Sequence, residues 1–215
     1  MFDAAPMSFA TPPSAVMAAS RLDASMGGPV TTFSAGEEIY AEGDKAGALY
    51  QVAFGVVRIY RLLADGRRQI CAFQMAGEIF GFESGAERHF FADAVNSVGL
   101  KTLRPGSEAE LSHELLKLAL TSLNRAHDHL LTVGRNDASG RVAAFLLEIA
   151  DRQGTRDLDV IELPMSRLDI ADYLGLTIET VSRVFTRLRE QGVIRLASTR
   201  HVDVMQWRQL EKMTA

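Results

Sequence analysis

The stretch "SRLDIADYLGLTIETVSRVFTRLREQG", residues 166–192, decides the fold. Ser166 followed three residues later by Asp169 is a capping-box-like start, in which hydroxyl and carboxylate satisfy backbone N–H groups at a helix N-terminus. Ile170, Ala171 and Leu174 form one apolar side of that first helix. Gly175 ends it, Leu176 can plug the corner, and Thr177 caps a second helix. In the second helix Ile178, Val181, Phe185 and Leu188 step by 3, 4 and 3 and are expected to face the core. Glu179, Ser182, Arg183 and Thr186 are left on the opposite side. Two short helices joined by a Gly-containing turn of about four residues make a helix-turn-helix. "GVIRLASTRHVDVMQ" (192–206) follows as strand, turn, strand, which would be the wing of a winged helix.

The exposed side of the second helix has a chemistry of its own. Residues near the N-terminus of a recognition helix meet base edges in the major groove. Arg offers a bidentate fork to guanine, Glu accepts from the cytosine amine, and Ser serves several bases. Glu179, Ser182 and Arg183 are therefore candidate base readers of double-stranded DNA. A carboxylate facing phosphates is unfavourable unless it reads a base. The hydroxyls of Ser166, Thr177 and Thr180 and the guanidinium groups of Arg187, Arg195 and Arg200 are candidate phosphate contacts, which set affinity and register rather than sequence. The competing reading is an ordinary solvated helix with a Glu179–Arg183 i,i+4 ion pair, worth a few tenths of a kcal/mol.

Charge supports the nucleic-acid reading locally. The 215 residues carry 23 Lys+Arg and 27 Asp+Glu, net −4. From Thr177 to the end there are 7 basic and 4 acidic residues, 7 − 4 = +3, so the positive charge gathers where the second helix lies. With 47% apolar and 23% charged residues, the composition is that of a globular protein of one or two domains. No run approaches the roughly 18 apolar residues of a membrane span, and no secretory signal is recognisable, so a cytoplasmic protein is expected. A single cysteine, Cys71, fits a reducing compartment and cannot by itself hold an iron–sulfur cluster.

Working toward the N-terminus, residues 139–215 hold the winged helix-turn-helix, with a preceding helix in "RVAAFLLEIADRQG" (141–154), apolar at Val142, Phe145, Leu146 and Ile149. "NDASG" (136–140) reads as a hinge. Residues 108–138 read as a long helix in which Leu116, Leu120, Leu123, His127 and Leu130 step by 4, 3, 4 and 3. That heptad-like seam suits pairing with the same helix of a second copy; the alternative is that it packs on the preceding domain. Residues 30–107 are a succession of short apolar runs punctuated by glycines, which indicates a barrel or jelly roll. Asp65-Gly66 within "GVVRIYRLLADGRRQICAFQM" marks a tight primed hairpin turn. Residues 1–29, with "TPPS" and "GGP", read as a disordered tail. The fold class is α+β.

Three segments carry a family likeness: "LPMSRLDIADYLGLTIETVSRVFTRLRE" (163–190), "YQVAFGVVRIYRLLADGRRQ" (50–69) and "GEIFGFE" (77–83). The chain resembles the cyclic-AMP receptor protein/FNR superfamily of bacterial regulators, and within it the FixK type, from about Val30 to the C-terminus. The resemblance implies a double-stranded β-roll, a long dimerisation helix and a winged helix. It implies a homodimer that binds palindromic promoter sites and recruits RNA polymerase. The Glu179…Ser182-Arg183 pattern is similar to that of the FNR-type reader, implying a TTGAT-like half-site with Arg183 on the guanine and Glu179 on the opposite-strand cytosine. Ile178 stands where cyclic-AMP receptors carry Arg, which favours the FNR-like site. The FixK likeness also implies control through the protein's own synthesis, and targets in microaerobic respiration or nitrogen fixation.

The residues argue against the superfamily's usual sensors. A cyclic-nucleotide site needs Gly-Glu for the ribose and Arg-Ser for the phosphate. Here Phe82 follows Gly81 and His89 follows Arg88. A haem would need an axial ligand, and His89 is the only histidine of the β-region. Cys71 falls in an expected strand, as a small buried hydrophobe. No cofactor and no metal are expected. No nucleophile–base set, paired-Cys or His-Glu-x-x-His spacing, or phosphate loop suggests an enzyme. A ligand-gated regulator of the same fold, with an unidentified effector in the β-roll, is the alternative.

Overall fold

The structure is a computed structural model, and it describes residues 28–103, 109–135 and 137–214. The expected N-terminal tail, up to residue 27, and Asn136 lie outside the described residues.

Eight strands form two four-stranded antiparallel sheets. One holds β1 (Val30–Phe33), β8 (Val98–Leu103), β3 (Leu49–Phe54) and β6 (Ile79–Phe80) in that order. The other holds β2 (Glu38–Tyr40), β7 (Phe91–Ala94), β4 (Val56–Leu62) and β5 (Arg68–Met75). Val52, Phe80, Val98 and Leu100 of the first sheet meet Val57, Ala92 and Ala94 of the second in a buried cluster. This is the expected alternation of inward apolar residues between facing sheets. Gly55, between β3 and β4, adopts φ +84°, and a Cβ there would sit 2.2 Å from the Ser97 carbonyl oxygen. Only glycine fits this close approach.

The β4–β5 hairpin differs from its expected turn. Leu63 N–H donates to the Arg67 carbonyl and Gly66 N–H to the Leu63 carbonyl, both as backbone bonds of 2.8–2.9 Å. The loop is thus three residues, Ala64 to Gly66, with Gly66 at φ +81°. The glycine still supplies the positive φ, but as the last residue of a three-residue turn rather than in a two-residue primed one.

Helix α1 (Ala109–Val133) follows, 25 residues long and about 37 Å at 1.5 Å per residue. Helix α2 (Ala138–Gln153) starts on Asp137, whose carboxylate accepts from Gly140 N, and stops at Gly154 in the left-handed conformation. Ser139 and Gly140 are buried in its first turn. The expected hinge over 136–140 is therefore mostly helix. Next come β9 (Val160–Glu162), α3 (Arg167–Leu174), α4 (Ile178–Glu190), β10 (Ile194–Leu196), β11 (His201–Val204) and α5 (Trp207–Lys212). Strand β11 lies between β10 and β9 in a three-stranded antiparallel sheet.

The core crosses between the β-roll and the C-terminal part. Val56, Ile70, Phe73 and Met75 of the roll belong to one buried cluster with Phe145, Leu146, Tyr173, Val181, Phe185 and Leu188. Tyr173 of α3 sits at the junction, with ring centroids 5.2 Å from Phe73, 5.7 Å from Phe145 and 3.9 Å from His129 of α1. Its hydroxyl donates to Glu148 at 3.1 Å. Among the described residues, no helix is long and apolar enough to cross a membrane.

Candidate nucleic-acid interface

The caps and the turn expected of the helix-turn-helix each have a physical counterpart. Ser166 Oγ accepts from Asp169 N at 3.1 Å, and Asp169 Oδ2 accepts from Ser166 N at 3.0 Å, completing the capping box. Gly175 ends α3 at φ +63°. Leu176 packs on the core between the helices. Thr177 Oγ1 accepts from Thr180 N and starts α4. Arg167 lies flat on the Phe185 ring, 3.4 Å from its centroid, and locks α3 against α4. Burial there brings its pKa down to about 10.

Val181, Val184, Phe185 and Leu188 bury α4. Ile178 does not join them: it is 39% exposed. The 3-4-3 stepping extends one residue too far, because Ile178, first in the helix after the Thr177 cap, lies at the edge of the buried face that Val181 begins. Val184 takes the inner position that this pattern missed. On the outer face Glu179, Ser182, Arg183, Thr186 and Arg187 are exposed together. Arg183 donates from Nη2 to Thr180 Oγ1 at 3.3 Å. Glu179 is fully exposed, and its carboxyl is held below the usual range first by its own backbone N–H, then by the Thr177 hydroxyl. The Arg183 charge is the weakest of the influences on it.

The candidate phosphate contacts fall into three states. Ser166, Thr177 and Thr180 hydroxyls are already engaged as caps or with each other, Thr177 and Thr180 oxygens being 3.1 Å apart. Arg187 reaches Ser139 of α2 at 3.5 Å. Arg195 in the wing donates to Asp203 at 2.7 Å while its side chain remains 72% exposed. Arg200 is exposed in the wing loop, where Ser198 Oγ accepts from its backbone N–H at 3.1 Å.

Helix α1 turns two sets of leucines in different directions. Leu115 and Leu118 pack on Leu49, Ile79 and Leu103 of the roll. Leu116, Leu120, Leu123 and Leu130 are 49–67% exposed, and His127 is exposed with them. The expected heptad residues therefore form an outward apolar stripe that does not pack on the β-roll.

Arg88 is 3% exposed, and its two terminal nitrogens donate to the Gly81 carbonyl at 2.7 Å and the Ala48 carbonyl at 2.6 Å. Its guanidinium also lies 4.3 Å from the Tyr40 ring centroid. Two of the five guanidinium N–H groups of Arg88 are thus engaged with backbone carbonyls. His89 Nδ1 is 2.7 Å from Glu83 Oε2, so the nearest acid is paired too. A cavity of about 230 Å³ lies beside Phe82, Arg125 and Arg152. A second cavity, of about 460 Å³, lies beside Gly81, Phe82 and Glu83 and falls within the roughly 300–1,000 Å³ of ordinary ligand pockets. Burial raises the Cys71 thiol pKa, the reverse of thiolate activation. Among the described residues, no group of His, Cys, Asp or Glu is placed to hold a metal ion.

Sequence reasoning found Asp169 only as a cap. Its second oxygen carries a further role: Oδ1 accepts from Arg58 at 2.8 Å and from Arg68 at 2.6 Å, both from the β-roll. These partners lie 111 and 101 residues away, beyond any local spacing rule.

A β-roll carrying a winged helix-turn-helix with an exposed polar face on its second helix defines the molecule as a DNA-binding regulator in class. Residues 30–109 match the family model of the cyclic nucleotide-binding domain, and residues 140–213 match the Crp-like helix-turn-helix domain. The chain is 53% identical to the nitrogen fixation regulation protein FixK of Rhizobium meliloti, over 85% of this chain and 86% of that protein. It is 46% identical to FixK of Azorhizobium caulinodans, over 83% and 76%. The structure of FixK2 from Bradyrhizobium japonicum superposes with a TM-score of 0.80 at 38% identity, covering 87% of this chain and 98% of that one. The chain belongs to the CRP/FNR family of transcription regulators.

Proposed function

We propose that the protein is a homodimeric transcription activator of the FixK type that reads the palindrome TTGAT, four unspecified base pairs, ATCAA. Glu179, Ser182 and Arg183 read the half-site. Ser166, Thr177, Thr180, Arg187, Arg195 and Arg200 contact phosphates. The observation that carries this reading is the outer face of α4, where Glu179, Ser182 and Arg183 are exposed together on a helix held by Val181, Val184, Phe185 and Leu188. The outward stripe Leu116, Leu120, Leu123, His127 and Leu130 supplies the seam between copies. Promoter binding recruits RNA polymerase in the cytoplasm. The names of the similar regulators support targets in nitrogen fixation. The backbone bonds of Arg88 support action without a cyclic nucleotide, and the lone Cys71 supports action without an iron–sulfur cluster.

The test is selection from a pool of random duplexes by the purified protein with no ligand added. Recovery of paired TTGAT and ATCAA elements is expected. An unpaired motif would contradict the dimer, and a motif lacking the guanine would contradict the role of Arg183.

A further inference from the structure

Strands β4 and β5 of the roll grip the first helix of the helix-turn-helix through five charged side chains. Arg58 (β4) donates from Nη2 to Asp93 at 2.9 Å and from Nη1 to Asp169 at 2.8 Å. Arg68 (β5) donates from Nη2 to Asp169 at 2.6 Å, and from Nε and Nη2 to Asp172 at 2.9 and 2.8 Å. The neighbouring Gln69 amide donates to the Asp172 carbonyl at 2.7 Å. Asp93 and Asp169 are 6% and 4% exposed. Asp169 is the member that matters most: one carboxylate oxygen closes the capping box of α3 while the other takes both arginines. The start of the DNA-reading unit is therefore fixed by the roll as well as by its own sequence.

We propose that Arg58 and Arg68 are positioning residues for DNA reading. They set the angle at which each roll holds its reading helix, and so set the spacing between half-sites that the dimer accepts. The physical warrant is that buried ion pairs contribute little net stability, since desolvation offsets attraction, but they are strongly directional. Helix α3 passes the constraint to α4 through Arg167 stacked on Phe185 and through the shared core. Adding or removing one base pair between half-sites moves one of them by about 3.4 Å and rotates it by about 35°. A clamped pair of reading helices cannot follow that change; a loosened pair can. The spacing argument rests on the proposed reading of a palindrome, whereas the clamping of the domain does not.

Two measurements on the full chain test this with Arg68→Met, which keeps an aliphatic stem near Tyr60 but removes the charge, and with Asp172→Ala, which leaves the capping box untouched. The single Trp207 lies in the winged domain, packed against its core and bonded to Asp159, so its fluorescence anisotropy decay reports motion of the domain. The parent is expected to decay with the tumbling of the whole particle, and both variants to gain a faster segmental component. Against duplexes with three, four and five base pairs between TTGAT and ATCAA, the parent's preference for four, about tenfold or more, should fall to about threefold or less in both variants. Their preference for guanine within a half-site should stay as in the parent. Melting curves recorded alongside show whether Arg68→Met remains folded; if it does not, Asp172→Ala decides. Unchanged anisotropy decay in a folded variant overturns the clamp. Loosened decay with unchanged spacer preference overturns its role in spacing. A parent with no spacer preference defeats the palindrome reading and the spacing role alike, and leaves the anisotropy result to decide the clamp.

Discussion

Arg183→Ala tests the proposed base reading apart from everything else the chain does. In the free protein Arg183 is exposed and gives up only a 3.3 Å bond to the Thr180 hydroxyl on moving to DNA. That bond, long and to a neutral acceptor, is worth no more than about 0.5–1 kcal/mol. No ion pair has to be broken first, so nearly all of the proposed bidentate contact with guanine would survive as affinity. Such a contact discriminates by about 1–3 kcal/mol. Each half-site then loses about 5- to 150-fold in affinity, and a homodimer on a palindrome loses the energy twice, about 2–6 kcal/mol. Removing one exposed charge per protomer lowers non-specific binding only slightly. The assay is anisotropy of labelled duplexes with the parent palindrome and with the guanine replaced in both half-sites. The variant should bind both alike, where the parent separates them. A variant that still discriminates the guanine as the parent does would refute the assignment.

Three further predictions follow from the same geometry. Leu120→Asp with Leu123→Asp places charges on the outward stripe of α1 and should shift sedimentation equilibrium from dimer to monomer while circular dichroism stays unchanged; a variant that stays dimeric removes the seam from this face. Arg195→Ala should weaken all duplexes alike by a few-fold and reduce the salt slope by about one unit, because Asp203 competes for that guanidinium; a sequence-dependent loss would make Arg195 a base reader. His129 is stacked on Tyr173, and burial lowers its pKa from 6.5 to about 4. Between those values the unfolded chain binds the proton more readily, so stability falls as pH drops below about 6.5, by about 1–2 kcal/mol at pH 5. Thermal melting from pH 7 to 5 should show this fall, and His129→Phe should remove that part of it; an equal fall in both proteins would place the effect elsewhere.

The helix-turn-helix was legible because its signals are local. Ser166 and Asp169, Gly175 and Thr177 each act within four residues, and each does in the structure what its spacing implies. The error at Ile178 is also local: periodicity finds a face but not where the core beneath it ends. The α1 stripe was legible, with a second copy and the β-roll as its two possible partners, since a 3-4 pattern does not say which neighbour covers it. The roll-to-helix grip was illegible for a different reason. Arg58, Arg68 and Asp169 look in sequence like ordinary surface charges and a cap, and only the pairing of distant elements brings them together. The shared core had the same cause. Phe73 and Met75 alternate as strand residues should, yet they cover α2, α3 and α4 rather than the interior of the roll.

The most direct measurement is titration of the ligand-free protein against the TTGAT–ATCAA palindrome and a scrambled duplex at several salt concentrations. The account predicts tight binding to the palindrome with nothing added, and a preference over the scrambled duplex of at least about a thousandfold at physiological salt. Binding that appears only when a small effector is added, or equal affinity for both duplexes, would contradict it.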